Sequence, residues 1–144
     1  SKAFDLAGCR VGYGVAQKEV IDALGLTKLV YNMNILSQNA ALAAMDYADD
    51  ILAHNIPPTL AARQHFMDAL KDVPNLTVYP SATNFVLVRV PDGPAMVKAL
   101  HDADICVRSY KAADLKNCLR ITITTDDVVR RVVAVMTEEA KKYA

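Results

Sequence analysis

Apolar residues recur every three to four positions along several stretches of this chain, and they alternate with their neighbours along shorter stretches between. The plainest case is the last one. Val128, Val129, Val132, Val133, Met136 and Ala140 form one stripe, with Thr125 where a cap belongs, Asp126 and Asp127 at the positive end, and Lys141 and Lys142 at the negative end. Val20, Ile21 and Leu24 predict a shorter helix over 17–26, which Gly25 helps to end. Ser37 is expected to cap a third helix, running through Ala40, Ala41, Ala44 and Met45. From Asp46 to Val73 the residues Tyr47, Ile51, Leu60, Phe66, Met67 and Leu70 keep a helical period. Pro57-Pro58 removes two amide donors and pushes Ile56 off helical angles, so a kink or break is expected near 55–58, with a new helix from Pro58 or Thr59.

After Pro74-Asn75 the period becomes extended. Leu76–Tyr79 and Asn84–Val90 read as strands joined by Pro80-Ser81, followed by a helix from Pro94 to about Asp102. Ile105–Tyr110 and Cys118–Thr124 read as two more, on either side of the polar connector 111–117. From Ser37 onward the order is helix, strand, strand, helix, strand, strand, helix. That order implies an α+β domain with a small antiparallel or mixed sheet and helices over one face. Near the start, Val11–Ala16 sets β-branched and aromatic residues between glycines and reads as a further strand; left unpaired, such an apolar edge tends to join another chain.

Composition narrows the function classes. Sixteen basic and sixteen acidic residues cancel, so no broad field attracts nucleic acid or an anionic membrane, and anion binding has to be local. The 144 residues suffice for an ordinary core, burying roughly two thirds of the unfolded surface. No apolar run is long enough to span a membrane and no signal-peptide pattern occurs, which makes cytoplasm the expected location. Cys9, Cys106 and Cys118 are odd in number and lack a C-x-x-C pair, arguing against disulfides or zinc; they are expected to be small buried apolar residues. His54, His65 and His101 have no metal-ligand spacing and are expected at the surface. Gly8, Gly12 and Gly14 do not make a dinucleotide fingerprint.

The chemistry-bearing residues lie at the two ends. In Ser1-Lys2-Ala3-Phe4 and on to Arg10, a lysine stands eight positions before an arginine across a glycine-bearing turn. A lysine amine condenses with an aldehyde, a guanidinium grips phosphate oxygens, and the Ser1 hydroxyl adds a hydrogen bond. Pyridoxal phosphate carries both groups. The residues equally allow a solvated lysine near a chain end and an arginine that opens a strand. In Leu119-Arg120-Ile121-Thr122-Ile123-Thr124, one arginine stands in an apolar strand, a costly position unless the charge meets an anion or a structural carboxylate such as Asp104 or Asp126. Arg108 lies twelve residues earlier, where adjacent strands bring it toward Arg120, or it is simply solvated at a strand end.

The segment SKAFDLAGCRVGY resembles the cofactor segment of fold-type I pyridoxal-phosphate aminotransferases, most closely the histidinol-phosphate aminotransferase branch, and LRITIT resembles that family's Leu-Arg-Ile-Thr-hydrophobic-Gly-Thr stretch. Three residues depart from it: Asp5 and Thr124 replace glycines and Cys9 replaces a leucine. The resemblance implies that Lys2 is catalytic, that Ser1, Lys2 and Arg10 bind pyridoxal 5'-phosphate, that Arg120 takes the substrate α-carboxylate and that Arg108 takes its phosphate. It implies that 1–34 are a remnant of a large cofactor domain and 35–144 a small C-terminal domain, within a cytoplasmic homodimer acting on small amino-acid or amino-phosphate substrates. The aspartate that would keep the cofactor's ring nitrogen protonated precedes the lysine in that family, so the chain alone is expected to be inactive. Two further classes stay open: an aromatic or other amino-acid aminotransferase or threonine-phosphate decarboxylase of the same fold, and a non-enzymatic α+β dimerisation module.

Overall fold

In the computed structural model, which describes residues 2–144, helices α1 (Lys18–Gly25), α2 (Ile35–Asp46) and α3 (Ala48–Leu70) come first. Strands β1 (Thr77–Val78) and β2 (Phe85–Arg89), helix α4 (Gly93–Asp102), strands β3 (Arg108–Ser109) and β4 (Cys118–Thr122) and helix α5 (Asp126–Lys141) follow, with a 3-10 turn at Ala113–Leu115. Two compact units divide the chain, residues 1–56 and residues 57–144. That contact boundary falls within α3.

In the second unit the four strands form an antiparallel sheet in the order β1-β2-β4-β3. The α+β expectation holds, with the sheet wholly antiparallel. Alternation along the strands explains the core. Val86 and Val88 of β2 pair with Ile121 and Leu119 of β4, and all four are buried. Their face joins Phe66 and Leu70 of α3, Met96 and Leu100 of α4, and Val129, Val132 and Met136 of α5 in one cluster. Phe66, Leu70, Val86, Val88, Leu100, Leu119 and Met136 are fully shielded from solvent, so this is where burial stabilises the fold, at roughly 1.5–3 kcal/mol per large side chain.

Helix α4 starts as its sequence demands, the Asp92 side chain accepting the Ala95 N–H at 3.0 Å and Pro94 standing in the first turn. Asn117 clasps this start to the approach of β4: its Nδ2 donates to the Pro91 carbonyl at 3.0 Å and its Oδ1 accepts the Gly93 N–H at 3.2 Å.

Residues of the first unit differ from expectation in their secondary structure at two points. Val11–Ala16 forms no strand: no other strand of the described residues pairs with it, Tyr13 and Val15 stand about nine-tenths exposed (92% and 89%), and a strand without a partner has nowhere to send its backbone hydrogen bonds. The cap of α2 is Asn34 rather than Ser37. Asn34 Oδ1 accepts the Ser37 N–H at 2.9 Å while its Nδ2 donates to Ser37 Oγ at 3.0 Å, so the buried Ser37 is the cap's partner inside the helix.

The expected break at Pro57-Pro58 is also absent, since α3 continues through both prolines. Proline's fixed φ suits a helix, and the carbonyls that lose their donors belong to Ala53 and His54, both exposed residues, where solvent is able to take the place of the missing N–H groups. Among the cysteines Cys118 is buried, but Cys9 is half-buried and Cys106 exposed, so the expectation of three buried thiols holds for one.

Candidate functional site

Residues 2–10 form a succession of tight turns. Asp5 N–H donates to the Lys2 carbonyl at 3.1 Å, Cys9 N–H to Leu6 at 3.2 Å and Arg10 N–H to Ala7 at 3.4 Å. Asp5 and Arg10 both lie in the left-handed region, at φ 54° and 56°. This accounts for Asp5, because aspartate tolerates that backbone better than most side-chain-bearing residues and replaces a glycine there at modest cost. For Arg10 the same angle is a strained choice, and the guanidinium Nη1 returns to donate to the Ala7 carbonyl at 3.2 Å. Lys2 and Arg10 are exposed. Ser1, the third residue of the expected cofactor set, lies outside the described residues.

Three arginines of the second unit, Arg89, Arg108 and Arg120, lie on its sheet. In β4 the inward residues are Leu119 and Ile121, which leaves Arg120 on the opposite face. Across β3–β4 its direct partner is Arg108, and across β2–β4 it is Leu87. Phe85 and Arg89 belong to the same face of β2, two residues on either side of Leu87. Arg89 is held by its neighbours: its Nε donates to the Tyr79 hydroxyl at 3.1 Å and its Nη2 to the Asp114 carbonyl at 3.1 Å. The Tyr79 bond holds the Arg89 guanidinium above its usual pKa.

Arg120 has no such support. Its Nε is buried with no hydrogen-bond partner, and among the described residues it is the only buried side-chain nitrogen or oxygen in that state. Its guanidinium carbon stands 5.2 Å from the centroid of the Phe85 ring. No ion pair reaches it from Asp104 or Asp126 among the described residues. Asp126 is engaged by His65 Nδ1 at 2.5 Å and Arg130 Nε at 2.7 Å, which together hold its carboxyl below the usual carboxylate range, the His65 bond contributing most. Arg108 is exposed, and its side chain forms neither hydrogen bond nor ion pair among the described residues. Two guanidinium groups opposed across a ladder repel each other, and an anion placed between them removes the repulsion.

Thr124, which stands where a glycine is usual in the resemblance, does not lie in the left-handed region, so its backbone does not require glycine. Phe85 escaped the sequence reading. The alternation of Phe85, Leu87 and Arg89 marked one face of β2, but the pairing that sets Phe85 diagonally beside Arg120 is not encoded in either strand alone. Two surface depressions, one lined by Met67, Asp68, Lys71, Val78, Tyr79 and Pro80 and one by Ala99, Ala134, Val135, Glu138, Glu139 and Lys142, contain none of the candidate residues. No group of acidic, histidine or cysteine residues among the described ones is arranged to hold a metal, and no described helix is long and apolar enough to cross a membrane.

Comparison with known proteins gives consistent matches. The profile of the family "Aminotransferase class I and II" matches residues 1–136. A histidinol-phosphate aminotransferase from Thermoanaerobacter sp. is 40% identical over 126 residues, covering 87% of this chain and 35% of its own length. Another from Ruminiclostridium cellulolyticum is 37% identical over 128 residues, covering 88% and 36%. The crystal structure of histidinol-phosphate aminotransferase from Sinorhizobium meliloti in complex with pyridoxal-5'-phosphate aligns with a TM-score of 0.73 at 29% identity, over 100% of this chain and 40% of that one. The chain thus spans about a third of the length of the curated relatives it matches.

Proposed function

Because this chain belongs to the class I and II aminotransferases, we propose that it is the C-terminal part of a pyridoxal-phosphate-dependent transaminase that moves an amino group between histidinol phosphate and 2-oxoglutarate or glutamate. The observation that carries this reading is the buried, unpartnered Nε of Arg120 beside Arg108: a face suited to an anion and supplied with none by the described residues. In this reading Arg120 grips the α-carboxylate of the amino-acid substrate through its guanidinium fork, and Arg108 takes the phosphate at the far end of histidinol phosphate.

The residues at the start of the chain fit the cofactor. An aldehyde needs a reachable amine, and Lys2 is exposed; a phosphate needs free guanidinium donors, and Arg10 commits Nη1 alone to a described acceptor. Bound there, pyridoxal phosphate would supply an electron sink for the bonds at the substrate α-carbon. Lys2 would attach the cofactor through its neutral amine and then carry a proton to and from that carbon. Arg10 and Ser1 would hold the phosphate. The same reading makes residues 1–34 part of a large cofactor domain and 35–144 the small domain, in a cytoplasmic homodimer.

Steady-state kinetics on the full-length protein tests it. Histidinol phosphate and 2-oxoglutarate should be turned over, and Arg120→Leu should lower kcat/KM for glutamate roughly thirtyfold or more, from the loss of about 2 kcal/mol or more when one partner of a buried charge pair is removed. Efficient turnover of phenylalanine with poor turnover of histidinol phosphate would replace the reading with an aromatic aminotransferase. Decarboxylation of threonine phosphate would replace it with a decarboxylase. No reaction with any of them, and no labelling of Lys2 on borohydride reduction with the cofactor, would leave a non-enzymatic module.

A further inference from the structure

We propose that Phe85 is a positioning residue, holding the guanidinium of Arg120 through the face of its ring so that the nitrogen donors stay available to a carboxylate. This rests on the reading of Arg120 as a carboxylate site and adds the means by which the site is held open. On the sheet face that carries Arg120, the register fixes its neighbours. Leu87 is directly opposite on β2 and offers only apolar contact, while Arg108 is directly opposite on β3 and repels. Phe85, paired with Thr122 two residues along β4, is the diagonal neighbour, within reach of a long side chain.

Among these three, only the aromatic ring attracts a cation. The guanidinium carbon at 5.2 Å from the ring centroid is inside the range where the electron-rich face of a phenyl group holds arginine. The manner of holding has a chemical consequence. A carboxylate partner would occupy the N–H donors, as Asp126 occupies those of His65 and Arg130. A ring face occupies none, so Arg120 stays ordered while its guanidinium makes no hydrogen bond to any described residue. The charge is thereby fixed in place and its hydrogen-bonding capacity kept for a ligand, which lowers the ordering cost when a carboxylate binds.

The test uses the 144-residue chain with 15N-labelled arginine, the Nε–Hε resonance of Arg120 being assigned by its loss in Arg120→Gln, and acetate as the carboxylate probe. The ring should shift the Arg120 side-chain protons upfield. Phe85→Leu should abolish that shift and weaken acetate binding roughly three- to thirtyfold, and Phe85→Tyr, which keeps a ring face, should restore both. Should Phe85→Leu lose the native backbone spectrum, Phe85→Met provides the same comparison. Unchanged Arg120 shifts and unchanged acetate affinity in the leucine or methionine variant would overturn the role of Phe85. Acetate binding that survives Arg120→Gln would instead overturn the carboxylate reading of Arg120, while the ring-induced shift still decides whether Phe85 holds it.

Discussion

Replacing Gly93 with alanine should destabilise residues 57–144, although the usual rule gives the opposite sign. Gly93 opens α4, and a glycine to alanine change at a compatible helical position normally gains about 0.4–1 kcal/mol. Here the position is not compatible. An added Cβ would lie 2.7 Å from the Lys116 carbonyl oxygen, 3.2 Å from Asn117 Oδ1 and 3.3 Å from Asn117 Cα. The nearest atom is backbone, and its segment is fixed: Asn117 binds Pro91 and Gly93 through its side chain, and its carbonyl accepts the Val90 N–H at 2.9 Å. Relief therefore requires α4 to move off the approach to β4. Overpacking of this kind costs about 1–3 kcal/mol, which outweighs the propensity gain and leaves a net loss of about 1–2 kcal/mol. For a unit of this size that corresponds to a fall in Tm of roughly 4–15 °C, read by calorimetry together with amide exchange in β2 and β4. In an Asn117→Ala background the added methyl should cost less, because the segment it strikes is no longer clasped. A Tm for Gly93→Ala at or above the parent value would refute the reasoning.

Phe66→Ala, at a fully shielded position, should cost about 3–5 kcal/mol in urea denaturation, whereas Val15→Ala, at a position 89% exposed, should stay within about 0.5 kcal/mol; similar costs for the two would contradict the location of the core. Asp126 has its carboxyl held below the ordinary range by His65 first and Arg130 second. Its contribution to stability is therefore present above the unfolded value of about 4 and is lost as pH falls through the lowered folded value. Asp126→Asn should flatten the acid limb of urea midpoint against pH, by a small amount because the pair is exposed, and superimposable acid limbs would count against the tether.

Helices were legible because their signals are local. The stripe from Val128 to Ala140 and the Asp92-to-Ala95 start of α4 each lie within a few turns of one segment. Strand identity was equally local for Phe85–Arg89 and Cys118–Thr122. What could not be read was anything settled by a partner. Val11–Ala16 has the composition of a strand and lacks a ladder. Pro57-Pro58 breaks a rule about donors without breaking the helix, on a stretch whose acceptor residues Ala53 and His54 are exposed. Asn34 and Ser37 are both good caps three residues apart, and only the reciprocal bonds decide between them. For the candidate site, the expense of Arg120 in an apolar strand was visible in the sequence. The ring beside it was not, since Phe85 and Arg120 are 35 residues apart and meet only through the β2–β4 register.

The six arginines of residues 57–144 show why Arg120 is the informative one. Arg63 donates to the Thr83 carbonyl, Arg89 to Tyr79 and Asp114, Arg130 to Asp126, and Arg131 to the Ala103 carbonyl; Arg108 has no described acceptor but stands in water. Only Arg120 combines withdrawal from solvent with the lack of an acceptor. A buried donor left unmade costs about 1–3 kcal/mol, more when it is charged, and an apolar residue among Cys118, Leu119 and Ile121 would avoid that cost altogether. Stability alone therefore argues for leucine or valine at this position. Local conflicts of this kind, set within a unit whose other buried polar groups are satisfied, concentrate where binding rather than folding decides the residue. The conflict falls on the same sheet face as Arg108, and an anion bound between the two guanidinium groups, as proposed for this face, would resolve it.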